Sequence, residues 1–131
     1  MRQPLWIIVA LLLVSCSTSS STLTYATLPS TADAAAGQIL FEHGTKNAQA
    51  CSICHSVDGS AEVGPSLLGI ATRAASQVAG QSADEYLFNS IVHPTEYVVQ
   101  GYSGGIMPLN YAQELTPPQI RDLIAYLQTL R

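Results

Sequence analysis

The chain has 131 residues, which is the length of one small domain, and 9 acidic against 5 basic residues give a formal net charge of −4. Nucleic-acid-binding domains carry clustered positive charge, so this composition excludes that class of partner. The chain has three cysteines, an odd number, so at least one of them needs an explanation other than pairing within the chain.

The N-terminus has the pattern of an export signal. Arg2 supplies one positive charge, and an apolar run from Leu5 to Val14 follows it. A membrane-spanning helix needs about 20 apolar residues, so we interpret residues 1–15 as a leader. The run ends in Leu-Val-Ser-Cys16, which resembles the lipobox of bacterial lipoproteins, and we predict that Cys16 is lipidated. The alternatives are an ordinary cleaved leader with a chance cysteine and an uncleaved anchor.

Residues 16–31 are rich in serine and threonine and show no apolar periodicity. A segment of this composition cannot bury a core, so we predict a solvated tether between the lipid anchor and a domain at residues 32–131. About 15 flexible residues have an outer reach of roughly 50 Å, which would let a small domain move just above a membrane.

The first helix is predicted to begin at Thr31 or Asp33, either of which can cap it, and to run to about His43. Gly37 lies inside this helix, where glycine costs about 1 kcal/mol relative to alanine. We therefore expect another helix to approach closely at Gly37.

Cys51-Ser-Ile-Cys54-His55 is the attachment signature of c-type haem. Within one helical turn, both thiols can reach the vinyl groups of one porphyrin while the imidazole reaches the iron. A redox CxxC would be expected in a βαβ context, which is not visible, and a zinc site would need a second ligand pair. A structural disulfide is the remaining alternative. We predict one haem c, covalently bound through Cys51 and Cys54, with His55 as an iron ligand.

The rest of the domain has helix signals separated by loops. A capping box at Ser82 opens a helix that closes at His93-Pro94, and Thr116 caps a strongly amphipathic helix with apolar residues through Leu130. Residues 63–69 and 97–111 are predicted loops rich in glycine and proline. With no convincing strand pair, the fold class is all-α, with three to five helices around the haem.

The candidates for the second iron ligand are Met107, His43 and His93. Met107 lies in the second glycine-rich loop and precedes Pro108, which fixes the backbone beside it. That position suits a loop laid over a haem face better than it suits core packing, so we favour Met107 and interpret the two histidines as ordinary helix-end residues. A thioether ligand favours ferrous iron and raises the haem potential.

Residues 33–131 resemble the class I bacterial cytochromes c. The matching elements, in chain order, are Gly37 to Phe41, the Cys51–His55 motif, Gly64-Pro65, Met107-Pro108 and Tyr126. The resemblance implies the small cytochrome c fold, contact of the first helix with Tyr126, and a hydrogen bond from His55 to the carbonyl of Pro65. Two features depart from the family: Lys46 is the only lysine, and no tryptophan lies in the domain to hold a haem propionate. Arg73, Tyr97 and Tyr102 are candidates for that role.

These patterns predict a membrane-anchored carrier of single electrons, on the extracytoplasmic (periplasmic) face of a bacterial cell membrane. Its partners would be a redox protein donor and acceptor, with the membrane reached through the lipid anchor. Such a carrier would belong to a respiratory or photosynthetic chain, and we expect no catalytic residues. One alternative is a fixed subunit of a quinol-oxidising or terminal oxidase complex. Another is a haem-based sensor or enzyme for small ligands, which would need an easily displaced sixth ligand.

Overall fold

A computed structural model describes residues 22–131 of the chain. This part is all-helical, with no strands and with two single 3₁₀ turns at Tyr25–Thr27 and Cys51–Ile53. Its five helices are α1 (Ala34–His43), α2 (Ile70–Gln77), α3 (Ala83–Val92), α4 (Tyr111–Glu114) and α5 (Pro117–Leu127). The prediction of an all-α fold with three to five helices is confirmed.

The helix starts follow the predicted caps. The Asp33 carboxylate accepts hydrogen bonds from the first-turn backbone amides of Ala35, at 2.9 Å, and Ala36, at 3.2 Å. Ser82 forms a capping box with Glu85 at the start of α3, and Thr116 forms one with Gln119 at the start of α5. These bonds satisfy amide groups that have no partner inside the helix, which explains why α1, α3 and α5 begin where the sequence predicts.

Helices α1 and α5 cross at Gly37, as predicted. A Cβ atom at this position would lie 2.0 Å from the carbonyl oxygen of Asp122 in α5. Beside the crossing, the rings of Phe41 and Tyr126 pack with centroids 5.3 Å apart and an interplanar angle of 53°. Only a residue without a side chain allows the two backbones to come this close, so the glycine sets the position of the terminal helices.

The core lies around α5, whose Ile120 and Ile124 are fully buried. Helix α5 ends at Leu127 rather than continuing to Leu130. The carbonyl oxygen of Leu130 accepts a hydrogen bond from Ala71 N at 3.1 Å, so the last residues connect α5 to α2.

Sequence patterns missed α2 and α4. Helix α2 follows Gly69, which has a positive φ of 72°, and buries only Ile70 and Ala74 of its residues. Helix α4 has four residues and buries only Tyr111. Neither helix has enough apolar residues at helical spacing to stand out from the neighbouring loops.

Part of the segment predicted as a solvated tether packs on the domain: the structure places residues 23–28 against it. The Tyr25 ring packs against Phe88 of α3, with centroids 6.2 Å apart, and Leu23 and Leu28 pack against the core. Asp33 N then donates to an Asp122 carboxylate oxygen at 2.7 Å. We call residues 23–28 the strap. The sequence did not reveal the strap because it follows a run of serine and threonine and has only three large apolar residues, which form the contact.

Asp84 anchors the strap to α3 and α5. Its carboxylate accepts hydrogen bonds from Arg121 Nη1 at 2.7 Å, Gln128 Nε2 at 2.8 Å and the Tyr25 hydroxyl at 3.4 Å. Burial alone would raise the pKa of Asp84, but the bonds from Arg121 and Gln128 outweigh it, so the pKa lies below the ordinary value. The charged form of Asp84 therefore stabilises the fold.

Replacing Asp84 with asparagine should lower the free energy of unfolding at pH 7 by about 1 kcal/mol, since the ion pair is partly exposed. A carboxylate with a lowered pKa stabilises the fold above its unfolded pKa of about 3.9 and loses that effect as pH falls through the folded value. The difference between wild type and Asp84→Asn should therefore shrink below about pH 4. Urea denaturation at pH 7 and pH 3 measures it, with exposed Glu62→Gln as control. An equal difference at both pH values would contradict the ion-pair explanation.

The predicted leader, residues 1–15, and Cys16 lie outside the described residues. None of the helices within residues 22–131 has the length and hydropathy that a membrane crossing requires.

Candidate functional site

The Cys51–His55 motif folds into a single turn, as predicted. The backbone amides of Cys54 and His55 both donate to the carbonyl oxygen of Cys51, at 3.1 and 2.9 Å. This turn brings the cysteines and the histidine to one large cavity, which all three line. One turn thus offers two thiols and an imidazole to the same occupant.

The imidazole of His55 is held by the loop at residues 63–67. Its Nδ1 lies 2.8 Å from the carbonyl oxygen of Pro65, so Nδ1 carries the proton and donates a hydrogen bond to that oxygen. The amide of Gly64 donates to the carbonyl of Cys54 at 2.8 Å and ties this loop to the cysteine turn. The arrangement leaves the lone pair of Nε2 free to bind a metal ion.

Gly64 lies against the face of the imidazole. A Cβ atom there would lie 2.5 Å from Cε1 and 2.8 Å from Nδ1 of His55, closer than atoms pack in proteins. Gly64→Ala should therefore push the ring away from Pro65 and weaken any bond that Nε2 makes to iron. We expect a changed absorption spectrum of the haem-loaded protein and a loss of about 2 kcal/mol in stability.

Gly80→Ala serves as the control for Gly64→Ala, because a Cβ at Gly80 meets no atom within 4 Å, although its positive φ of 84° makes the substitution strained. A backbone effect alone would lower the stability of this control and leave its haem spectrum as in wild type. An unchanged spectrum in Gly64→Ala would contradict the packing of Gly64 on His55.

The loop between α3 and α4 supplies another wall of the cavity. Residues 102–108 line it, including Met107 and Pro108. The end of this loop is tied to the segment before Cys51, because the Tyr111 hydroxyl donates to the carbonyl of Gln49 at 3.0 Å. His43 and His93 both lie within the described part of the chain, and neither lines this cavity. Of the three candidates for a second ligand, only Met107 does so.

The cavity has the form of a large apolar slot. It encloses about 1220 Å³, counting its open mouth. All five helices and both loops contribute to its walls, which include Phe41, Leu67, Ile91, Leu123 and Leu127. Such a space suits a broad, flat, apolar cofactor that is fixed at two sulfur atoms and one nitrogen.

The rival interpretations of the motif fit this site less well. Within residues 22–131, no group of three or more His, Cys, Asp or Glu side chains is placed to hold a metal ion, so a zinc site lacks its ligands. Burial raises the pKa of the Cys51 thiol to about 11. Reactive redox cysteines have lowered pKa values, so Cys51 has the opposite character.

The candidates for holding a propionate separate into two groups. Tyr97 and Tyr102 line the cavity. Arg73 does not: its guanidinium donates to the backbone carbonyls of Ser66, at 2.9 Å, and Leu68. The contacts of Arg73 are therefore structural, since they hold the end of the loop that carries Pro65.

Tyr111 was not identified from the sequence. It is buried, lines the cavity and joins the Met107 loop to the cysteine segment. Burial is the main cause that raises its pKa to about 12, so the phenol stays protonated and remains a donor at neutral pH. An aromatic residue four positions after a candidate ligand gives no pattern by itself, because its partner, Gln49, lies far away in the sequence.

The comparisons with known proteins agree with this geometry. The model of the Cytochrome c family matches residues 34–131, which is well over half of the chain and includes every residue that lines the cavity. No curated protein matches the chain.

Proposed function

The chain belongs to the cytochrome c family, and we propose that it is a monohaem electron carrier with His55 and Met107 as its two iron ligands. The family binds one haem c covalently through its CxxCH motif, which here contributes Cys51 and Cys54. Membership also makes the protein an electron-transfer haem protein. Its ligands, membrane attachment and partners are the further steps of the proposal.

The observation that carries the proposal is the composition of the cavity wall. His55 and Met107, from separate segments, line the same apolar space. Among residues 22–131, no Asp, Glu, Lys or Arg lines it, so this part of the chain offers the cavity no carboxylate or amine for acid–base or nucleophilic chemistry. Ligands on both faces of the iron and an apolar surrounding suit a change of charge without binding of a substrate.

Haem iron supplies the one-electron change between ferric and ferrous states, and the chain controls its surroundings. The carbonyl oxygen of Pro65 accepts a hydrogen bond from Nδ1 of His55 and thereby fixes the ring orientation. Leu123, Leu127 and Ile91 contribute apolar surface to the cavity wall, which lowers the polarity around its occupant. A thioether from Met107 would favour the ferrous state.

Absorption spectra of the haem-loaded protein test this function. We expect a low-spin haem in both oxidation states, the far-red band of a methionine–iron bond in the oxidised form, and no change when carbon monoxide is added to the reduced form. A high-spin haem, or one that binds carbon monoxide at neutral pH, would contradict the proposal. It would favour a small-ligand sensor or enzyme instead.

We further propose that the protein is anchored by lipidated Cys16 to the extracytoplasmic face of a bacterial cell membrane. The apolar run and the Leu-Val-Ser-Cys16 sequence that ends it support this proposal. The acidic composition of the chain does not suit binding to nucleic acid. Growth with a labelled fatty acid should label the wild type and leave Cys16→Ser unlabelled. A soluble, unlabelled wild-type protein would refute the anchor.

The strap favours a fixed subunit over a freely moving shuttle. Because residues 23–28 pack on the domain, only residues 17–22 lie between Cys16 and the strap. Six residues span at most roughly 20 Å, less than half the reach expected for a tether through Thr31. Such a short connection would hold the domain close to the membrane surface, where it suits a place within a membrane respiratory or photosynthetic complex better than wide-ranging movement. Extraction in mild detergent distinguishes the two, since a fixed subunit should co-purify with its complex.

A further inference from the structure

Helix α4 has only four residues, but the residues that begin it make long-range contacts. The Nδ2 atom of Asn110, which immediately precedes α4, donates to the carbonyl oxygen of Asn47 at 3.3 Å. The hydroxyl of Tyr111, the first residue of α4, donates to the carbonyl oxygen of Gln49 at 3.0 Å. We call these two hydrogen bonds the clamp. They join the end of the Met107 loop to the segment immediately before the cysteine turn.

The clamp is not a cap of α4. Asparagine at this position usually caps its own helix through its side chain, but the side chain of Asn110 makes no such bond. Instead the backbone carbonyl of Asn110 accepts hydrogen bonds from the amides of Gln113 and Glu114, both at 3.0 Å. Tyr111 is the one buried residue of this helix. With so little core packing of its own, α4 is expected to be held in place largely by the clamp.

The segment that accepts the clamp bonds is itself a tight turn. The Oγ1 atom of Thr45 accepts hydrogen bonds from the amides of Asn47, at 3.3 Å, and Ala48, at 2.9 Å. The amide of Thr45 in turn donates to the carbonyl oxygen of Ala48 at 2.8 Å. Ala48 is buried, so this turn is fixed both by its own hydrogen bonds and by the core. The clamp therefore attaches α4 to a rigid part of the chain.

The loop that carries Met107 has few hydrogen bonds of its own. Among the described residues, residues 98–109 make one backbone hydrogen bond, from the amide of Tyr102 to the carbonyl oxygen of Val99 at 3.1 Å. Three residues of this stretch are glycine, which restricts the backbone least. The position of the loop over the cavity must therefore come from its apolar contacts and from its ends. At the C-terminal end, the clamp provides the attachment.

We propose that Asn110 and Tyr111 are positioning residues for Met107. The clamp keeps the loop at residues 102–108 closed over the cavity and so limits the access of small molecules to the iron. This inference rests on the proposed ligation by Met107, which lies three and four residues before the clamp residues and lines the cavity together with Tyr111. Over so short a distance in the chain, release of α4 would free the ligand loop as well.

Binding of imidazole to the oxidised holoprotein measures how often the loop opens, because imidazole can bind the iron only after Met107 has left it. The apparent dissociation constant is the intrinsic one divided by the open fraction. Removing one neutral hydrogen bond should raise that fraction about fivefold, so Tyr111→Phe should bind imidazole about fivefold more tightly than wild type. The bond of Asn110 is longer and exposed, so Asn110→Ala should increase the affinity less than about twofold.

Tyr126→Phe is the matched control for Tyr111→Phe. It also removes a hydroxyl from a buried tyrosine, but Tyr126 does not line the cavity, and its hydroxyl makes no hydrogen bond within residues 22–131. This control should bind imidazole as wild type does. Without imidazole, both variants should keep the far-red band at pH 7, because the loop is closed most of the time.

Amide hydrogen exchange in the holoprotein gives a second measurement, which needs no added ligand. The amides of Gln113 and Glu114 are bonded to the carbonyl of Asn110, so they exchange when α4 opens. In Tyr111→Phe they should exchange about fivefold faster than in wild type, while the amides of α3 should exchange at the wild-type rate. The comparison of α4 with α3 separates local opening from a loss of overall stability.

Two results would overturn the clamp proposal. Tyr111→Phe could match Tyr126→Phe in imidazole affinity or in the exchange of α4, which would mean that apolar packing alone holds the loop. It could also accelerate exchange in α3 as much as in α4, which would mean that Tyr111 stabilises the whole domain rather than the loop. Failure of the proposed ligation by Met107 would look different, because the wild type itself would then lack the far-red band.

Discussion

Replacing Gly37 with alanine is expected to destabilise the holoprotein by about 3 kcal/mol, in the upper range for overpacking. The added Cβ would lie 2.0 Å from the carbonyl oxygen and 2.5 Å from the carbonyl carbon of Asp122. Both are backbone atoms, so no rotamer change can relieve the overlap. Helices α1 and α5 must move apart, and the contact between Phe41 and Tyr126 would be lost with them.

The sign of the effect distinguishes this explanation from helix propensity. Alanine is the better helix former by about 1 kcal/mol, so propensity alone predicts that Gly37→Ala stabilises the protein. Gln38→Ala is the control, since Gln38 is the next residue in α1, is exposed, and its amide bonds only to Glu42. Guanidinium chloride denaturation of the haem-loaded proteins gives the values. A Gly37→Ala protein as stable as wild type would show that the helices do not touch there.

Local signals in the sequence predicted the three long helices. Asp33, Ser82 and Thr116 each bond to amides two or three residues away, so cap and target lie in one short stretch of sequence. The close approach at Gly37 was also predictable, because a glycine inside a helix has a cost that requires a reason. The three caps depend on contacts within a short stretch of sequence, and the glycine depends on the contact of only one pair of helices, α1 and α5.

The strap and α2 could not be predicted in the same way. The strap depends on the contacts of Tyr25 with Phe88 and Asp84, both of which lie about sixty residues later in the sequence. The N-terminus of α2 is held by the carbonyl of Leu130 at the other end of the domain. Long-range contacts stabilise both segments, and local composition suggested a linker for the first and gave no signal for the second.

The site was predictable where chemistry determines spacing. A macrocycle with two thioether links requires Cys51 and Cys54 three residues apart, and the bond from His55 to Pro65 followed from the family resemblance and is present at 2.8 Å. The contact of Gly64 with the imidazole and the tie from Tyr111 to Gln49 were not predicted. Each depends on how one loop packs on another, which spacing alone does not determine.

Replacing Met107 with alanine is expected to give the largest change in the properties of the haem. The reduced protein should then bind carbon monoxide, the far-red band of the oxidised protein should disappear, and the redox potential should fall by on the order of 0.1 V. The reason is that Met107 is the only one of the three candidate ligands that lines the cavity. With alanine, the iron would keep the proposed ligand His55 and would have an open position for carbon monoxide.

His93→Ala provides the discriminating control for Met107→Ala. His93 lies at the end of α3 and its ring packs against Phe88, with centroids 6.5 Å apart, on the side of the helix that bears the strap. Its removal should leave both the spectrum and the resistance to carbon monoxide unchanged. If the two variants behaved in the opposite way, the loop at residues 102–108 would not carry the ligand. The wall that it forms would then be packing surface alone, and the high potential expected from a thioether ligand would be lost as an argument for the carrier function.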